Sequence, residues 1–512
     1  MLRLTAKDTQ FGKPTFQSWL IESAGTLPIK RRKDHAEGDA DNTVVMESLV
    51  KALEEGDAIC LFPEGMSRYH PSVAPLKTGV ARIASDVLTR QKDNPDFKLT
   101  LLTCSVTYMH RQHFRSDVLV SFNPPLQLSP KTHESLISCP PNQPETTQHA
   151  VRSLTAFLYD QITQGTIAAP SWKVIRIAKA AARIYVPLGT GMGLGDWVRV
   201  VGRFAGENGF GGVGQRRGRK PSLVRSSTVP GSSELTGVEW QPSPVMKDDL
   251  TPPEQPEDTI SDEFVETLSK DVQMYQSHLE RLGLKDFRVL QYATLSRRRI
   301  IIRILTRIPL ATMLGILALP GLVLWLPVFL TVTYFTKKHK QTGPVWDTYD
   351  EISQTKLIYG LAAGTITWLV SCLVTLPFAP ATATAIPLIM WMALRWTEDL
   401  VASVRAITVL TKLLLIGRPE MNKTLLWREN IHERVMRLAT ERLDLPVNPE
   451  AFFSTQSSPG PRWDTQGGAD KGRTQGLWAR GTRYFSLRRR RKRDWNETMR
   501  WYDQTYLPED EL

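Results

Sequence analysis

Phe62-Pro63-Glu64-Gly65 follows directly on the apolar run Ala58-Ile59-Cys60-Leu61. A short continuous apolar run reads as a central strand, and open α/β sheets bind ligands where such strands end. In that position Glu64 can orient a hydroxyl or hold a neighbouring cation. Pro63 sets the exit direction of the chain, and Gly65 permits positive φ or close backbone approach to a ligand. Upstream, Gly25, Pro28, Lys30, Arg31 and Arg32 form a cationic cluster able to grip a phosphate, which arginine does bidentately. Downstream comes Pro75-Leu76-Lys77. Taken alone, Pro-Glu-Gly is a common surface turn and Lys77 an exposed lysine before a helix.

The flanking elements decide between these readings. Val45, Leu49 and Leu53 recur at helical spacing, with Asn42 or Thr43 as cap and Gly56 just beyond the end. Val80, Ile83 and Val87 predict a second helix, and Val151, Leu154, Leu158 and Ile162 a closing one. Residues 99–108 and 117–122 are rich in β-branched residues and predict strands. Residues from about 15 to 165 therefore read as α/β, while the N-terminus has no apolar segment of the kind a signal peptide carries.

Beyond that unit the composition changes. Residues from about 207 to 263 are rich in Gly, Ser and Pro, with a basic block and then an acidic one. The apolar content is too low to offset ordering, so the segment reads as disordered. Its Gly-Val-Gly-Gln-Arg-Arg-Gly lacks the strand and helix a dinucleotide fingerprint needs. Two stretches, Ile308 to Phe335 and Leu357 to Leu394, carry no charge, and about 20 apolar residues cross a bilayer. Pro320 and Pro327 interrupt the first, and Pro377, Pro380 and Pro387 the second. Cations flank both at each end, which favours hairpins that emerge on one side. The second is expected to fold as such a hairpin, and the first to tilt or dip into one leaflet. Residues 447–512 read as a disordered tail ending in the cationic run Arg488 to Arg493. A net charge of +12 suits an anionic lipid surface, and the uncharged stretches argue against nucleic acid. The four cysteines have neither disulfide-framework nor zinc-site spacing, which favours a reducing compartment.

In this order the motifs resemble the lysophospholipid and glycerophosphate acyltransferase superfamily, and the longer pattern resembles the fungal glycerol-3-phosphate / dihydroxyacetone-phosphate acyltransferases. The resemblance runs over most of residues 1 to about 440, through Thr166–Gly189 and the segment from Arg297 onward. It implies a substrate-binding set of Arg31 and Lys30 for phosphate, with Phe62, Pro63, Glu64, Gly65, Ser67 and Lys77 around the acceptor. Met66 departs from the small residue usual after the glycine. The implied reaction moves an acyl group from acyl-CoA, a co-substrate, to the sn-1 hydroxyl of glycerol 3-phosphate or dihydroxyacetone phosphate. No metal or other cofactor is implied. The implied location is the endoplasmic reticulum membrane, with the lipid droplet as second choice and the catalytic domain facing the cytosol.

The expected architecture is an N-terminally truncated α/β acyltransferase domain followed by a membrane-embedded α-helical region with a disordered insert and tail. Its parts are residues 1–205 (the domain and a following helical segment), a linker at 206–263 and an amphipathic basic helix at 264–300. Membrane segments at 301–340 and 350–420, a helix at 421–446 and the tail at 447–512 complete it. The family's general base is a His followed after four residues by an Asp, and a base of this kind contributes about 10²–10⁴-fold in rate. None of the nine histidines has an Asp five positions on; His35 precedes Asp39 and Asp41, and His113 precedes Asp117. No catalytic residue is therefore assigned. The sequence reads either as an incomplete acyltransferase or as a membrane-anchored lipid-phosphate-binding or interaction protein without turnover, and little or no catalysis is expected of it as it stands.

Overall fold

The computed structural model describes residues 2–14, 16–30, 42–65, 69–109, 118–137, 144–187, 190, 192–212, 260–286, 289–290, 296–341 and 352–455. The α/β alternation begins earlier than expected, with strand β1 at Leu2–Lys7. Leu2, Leu4 and Ala6 alternate with Arg3, Thr5 and Lys7, the period of a strand with two unlike faces. Helix α1 (Phe16–Ser23) leads to β2 (Leu27–Ile29), and α2 (Thr43–Glu54) leads to β3 (Ala58–Cys60). These three strands form a parallel sheet in the order β2-β1-β3. Arg3 donates to Asp57 at 2.8 Å, tying β1 to the start of β3.

Helix α3 (Gly79–Arg90) packs on α2, with Leu49, Val50, Ile83 and Val87 buried against Ile59 and Leu61. A long antiparallel hairpin follows in two parts. Its base pairs β4 (Leu99–Leu101) with β7 (Leu126–Leu128), and its outer part pairs β5 (Cys104–Tyr108) with β6 (Val118–Phe122). Asn123, Thr103 and Gln161 bond to one another at the break between the parts. Helix α4 (Pro144–Gln164) closes the unit. Ser105 and Thr107 face inward and donate to the carbonyls of Ile162 and Gly165, tying the hairpin to the end of α4. The opposite face of this hairpin, with Val106, Tyr108, Val118, Val120 and Phe122, is exposed.

A second core is helical. It joins α5 (Trp172–Tyr185), α6 (Leu194–Ala205), α7 (Asp262–Leu282) and α11 (Arg418–Glu441), with Trp197, Phe204, Leu268, Tyr275 and Ile431 among its buried residues. Serines start α5 and α7 by accepting backbone N–H groups, and Gly283 ends α7 in the left-handed conformation. Arg428 holds Asp286 through two hydrogen bonds of 2.7 and 3.2 Å, and Tyr275 donates to the same carboxylate at 2.8 Å. Burial, then the adjacent carboxylate, pushes the Tyr275 hydroxyl above its usual pKa.

Between α7 and α11 lie three apolar helices: α8 (Arg297–Lys340), α9 (Ile352–Val374) and α10 (Ala379–Ile416). Two of them, α8 and α9, are long and apolar enough to cross a membrane. The second uncharged stretch does divide, at a one-turn 3-10 helix over Leu376–Phe378. The first differs from the expectation of a proline-interrupted segment. It lies in one helix of 44 residues that runs on through Pro309, Pro320 and Pro327. In apolar surroundings helix continuation is the cheapest way to pair the remaining backbone groups, so a proline costs less there than in water. Pro387 illustrates this on α10. It has no N–H to offer Ala383, whose carbonyl instead accepts the Trp368 indole N–H at 3.0 Å. A last short helix, α12, spans Pro449–Thr455. The linker and tail expected to be disordered fall mostly outside the described residues.

Candidate functional site

The site lies at the carboxyl edge of the parallel sheet. Register pairs Ile29 with Lys7 and Cys60 with Leu4, so Pro63, three residues beyond Cys60, falls level with Ile29 when that register is continued. The ends of β2 and β3 thus flank β1, about 10 Å apart at the usual strand spacing. Lys30 follows β2, partly buried, and its backbone exchanges two hydrogen bonds of 2.9 Å with the Asn42 side chain. Asn42 precedes α2 as its spacing predicts, but it makes no side-chain cap. Its amide fixes the end of β2 instead.

The second wall is a tight turn. Gly65 N–H donates to the Phe62 carbonyl at 3.0 Å, and Lys77 N–H donates to the Pro63 carbonyl at 2.9 Å. Gly65 has φ +73°, and a Cβ there would lie 2.5 Å from Lys77 Nζ. The missing side chain is therefore what lets the Lys77 ammonium lie against the turn. Glu64 accepts from Ala74 N–H at 3.3 Å, bracing the loop that returns to Lys77. Further along that loop, Ala169 N–H donates to the Pro71 carbonyl at 3.0 Å, and Tyr69 stacks on Trp172 with ring centroids 4.5 Å apart. Glu64, Phe62 and Lys77 are exposed. Lys77 also stands just before α3, whose first turn has no side-chain cap, and helix N-termini favour anions.

Comparison with known proteins finds two family matches along the chain. Residues 1–107 match the family described as Acyltransferase, and residues 257–343 match the glycerol-3-phosphate acyltransferase 2 C-terminal domain. The chain is thus similar, in two separate parts, to acyltransferases of the glycerol-3-phosphate type. An uncharacterized acyltransferase of Schizosaccharomyces pombe is 27% identical over 295 residues, 57% of this chain and 35% of that protein. Glycerol-3-phosphate O-acyltransferase 2 of Saccharomyces cerevisiae is 25% identical over 305 residues, 59% of this chain and 33% of that protein. Glycerol-3-phosphate O-acyltransferase 1 of the same yeast is 26% identical over 146 residues, covering 28% and 18%. The match thus spans about a third of the length of the first two relatives. No solved structure matches.

Within the acyltransferase region the structure brings Phe62, Pro63, Glu64, Gly65 and Lys77 into one turn and sets Lys30 across β1 from it. Arg31 and Ser67 lie outside the described residues. Sequence reasoning missed β1, the strand between the two walls; its apolar–polar alternation was the available signal. It also missed Asn42 as the brace of β2, for which no local pattern exists. Among the described residues no cluster of His, Cys, Asp and Glu could hold a metal ion. An apolar depression of about 320 Å³ lies elsewhere, on α10 beside Leu394, Thr397 and Val401.

Proposed function

We propose that the sheet edge binds the phosphorylated acceptor of an acyl transfer, glycerol 3-phosphate or dihydroxyacetone phosphate, and presents its sn-1 hydroxyl to acyl-CoA. The observation that carries this reading is the placement of Lys30 and the Phe62–Gly65 turn at one carboxyl edge, on either side of β1, with Lys77 laid against Gly65. Lys30, Lys77 and the uncapped start of α3 supply positive potential for a phosphate dianion, with Arg31 next in sequence. Glu64, fixed by Ala74, is placed to accept from an acceptor hydroxyl. Apolar helices α8 to α10 hold the chain at a membrane, and anionic lipid suits its positive charge. The endoplasmic reticulum, with the α/β unit facing the cytosol, is the proposed location.

A second reading keeps the binding and drops the turnover, favoured by the absence of any His with an Asp five positions on. One experiment separates the two. The purified chain in detergent micelles is given labelled acyl-CoA and glycerol 3-phosphate, and acceptor binding is titrated in parallel. Binding with little or no lysophosphatidate formed supports the second reading. Robust turnover refutes the non-catalytic reading, and failure to bind either phosphorylated acceptor overturns the site itself.

A further inference from the structure

The Phe62–Gly65 turn has a nearer neighbour at the sheet edge than β2. Crossovers between parallel strands are right-handed, and those from β1 to β2 and from β2 to β3 run in opposite directions across the sheet. They therefore carry α1 and α2 to opposite faces. Helices α2 and α3 pack together against Ile59 and Leu61 on one of these faces. The chain leaving β1 thus turns toward one face, and the chain leaving β3 toward the other. Open α/β sheets hold ligands at such a topological switch point, and here it lies between β1 and β3. Neighbouring strands are about 5 Å apart, and Thr5 Oγ1 donates across this gap to the Cys60 carbonyl at 3.4 Å. Lys30, after β2, is one strand farther away. A phosphate bonded at about 3 Å to a donor on each side spans about 6 Å, enough for the nearer gap.

The segment leaving β1 is built to hold one shape. Lys7 pairs with Ile29, so Asp8 opens the loop level with Lys30, at the carboxyl edge. A one-turn 3-10 helix covers Asp8–Gln10, and Phe11 N–H donates to the Asp8 carbonyl at 3.0 Å. Gly12 then takes φ +68°, and nothing lies within 4 Å of where its Cβ would stand. Backbone conformation, not lack of space, favours glycine there. That conformation directs Gly12 N–H to the Glu22 carboxylate on α1, at 2.8 Å. Ser18, 1% exposed, completes the clamp: it donates to Glu22 at 3.0 Å and accepts from Lys13 N–H at 3.2 Å. The Gly12 N–H first, and then Ser18, holds the Glu22 carboxyl below its usual pKa. The loop is thereby tied to α1, and Lys13 stands exposed at its end.

We propose that the Asp8–Lys13 loop is the wall of the acceptor crevice that faces the Phe62–Gly65 turn, with Lys13 as a cation for the phosphate. Glu22 is the positioning residue, fixing the loop through Gly12 and Ser18. The inference rests on the acceptor reading given above, and it adds a phosphate partner outside the motifs that carried that reading.

Calorimetric titration of glycerol 3-phosphate into the full chain in detergent micelles tests this. Lys92→Met, which removes an exposed lysine just after α3, controls for net charge and should bind like the unaltered chain. Lys13→Met should weaken binding about tenfold, the loss of one charge-assisted hydrogen bond, and Lys13→Arg should recover most of it. Glu22→Ala should weaken binding several-fold with the thermal midpoint unchanged. Glu22→Gln should bind like the unaltered chain, because its amide oxygen still accepts Gly12 N–H. Equal affinity in Lys13→Met and Lys92→Met overturns the inference and leaves the acceptor reading standing. A loss in Glu22→Ala matched by a fallen midpoint, or shared by Glu22→Gln, overturns the positioning role. An unaltered chain that binds neither glycerol 3-phosphate nor dihydroxyacetone phosphate overturns the acceptor reading, and this inference with it.

Discussion

Gly65 is the residue on which the Phe62–Gly65 turn depends most directly. Alanine there would take a left-handed backbone at about 1–2 kcal/mol, and its methyl group would displace the Lys77 ammonium. We expect Gly65→Ala to leave the chain folded and lower glycerol 3-phosphate affinity at least tenfold, read by titration calorimetry. Lys77→Met should weaken phosphorylated acceptors by a similar factor and leave glycerol binding unchanged; equal loss for both ligands would reject Lys77 as a phosphate partner. This much of the site was legible in sequence, because Phe-Pro-Glu-Gly after an apolar run marks a strand-end turn by local chemistry alone. The contact of Lys77 with Gly65 was not, since it depends on a loop that returns from Ala74 and is anchored by Tyr69 and Pro71 to residues about a hundred positions away.

Among the elements, the joint between α7 and α11 depends on a buried ion pair. Arg428 and Asp286 are each less than a fifth exposed in their side chains, and Tyr275 shares the carboxylate. Removing one partner leaves a buried charge without its mate, a loss of about 3–5 kcal/mol. Arg428→Met should lower the thermal midpoint by several degrees and Asp286→Asn by less, measured by calorimetry; unchanged midpoints would show that apolar packing alone sets this joint. At the α8–α10 crossing, Gly321→Leu should force the helices apart where Ala393 now abuts, lowering membrane-extracted yield and raising protease sensitivity. The serines at 171, 261 and 296 each accept a first-turn N–H, start signals that the periodicity reading passed over, whereas Asn42, expected as a cap, makes none. The length of α8 was not legible, because proline reads as a breaker wherever water competes for the freed carbonyls.

At the scale of the molecule, the chain joins an α/β unit with an open carboxyl edge to a helical core from which three apolar helices extend. This order matches the two family assignments, one over residues 1–107 and one over 257–343. Charge and hydropathy alone pointed to a membrane and away from nucleic acid. They could not show that Lys30 and Phe62–Gly65 share one sheet edge, because parallel pairing through β1 joins segments far apart in sequence. The most direct measurement is calorimetric titration of glycerol 3-phosphate into the purified chain, with glycerol and inorganic phosphate as controls. We predict saturable binding of the phosphorylated alcohol, competed by dihydroxyacetone phosphate, stronger than either control and weakened by Gly65→Ala. Binding no tighter than inorganic phosphate, or unaffected by that substitution, would contradict the assignment of this edge as the acceptor site.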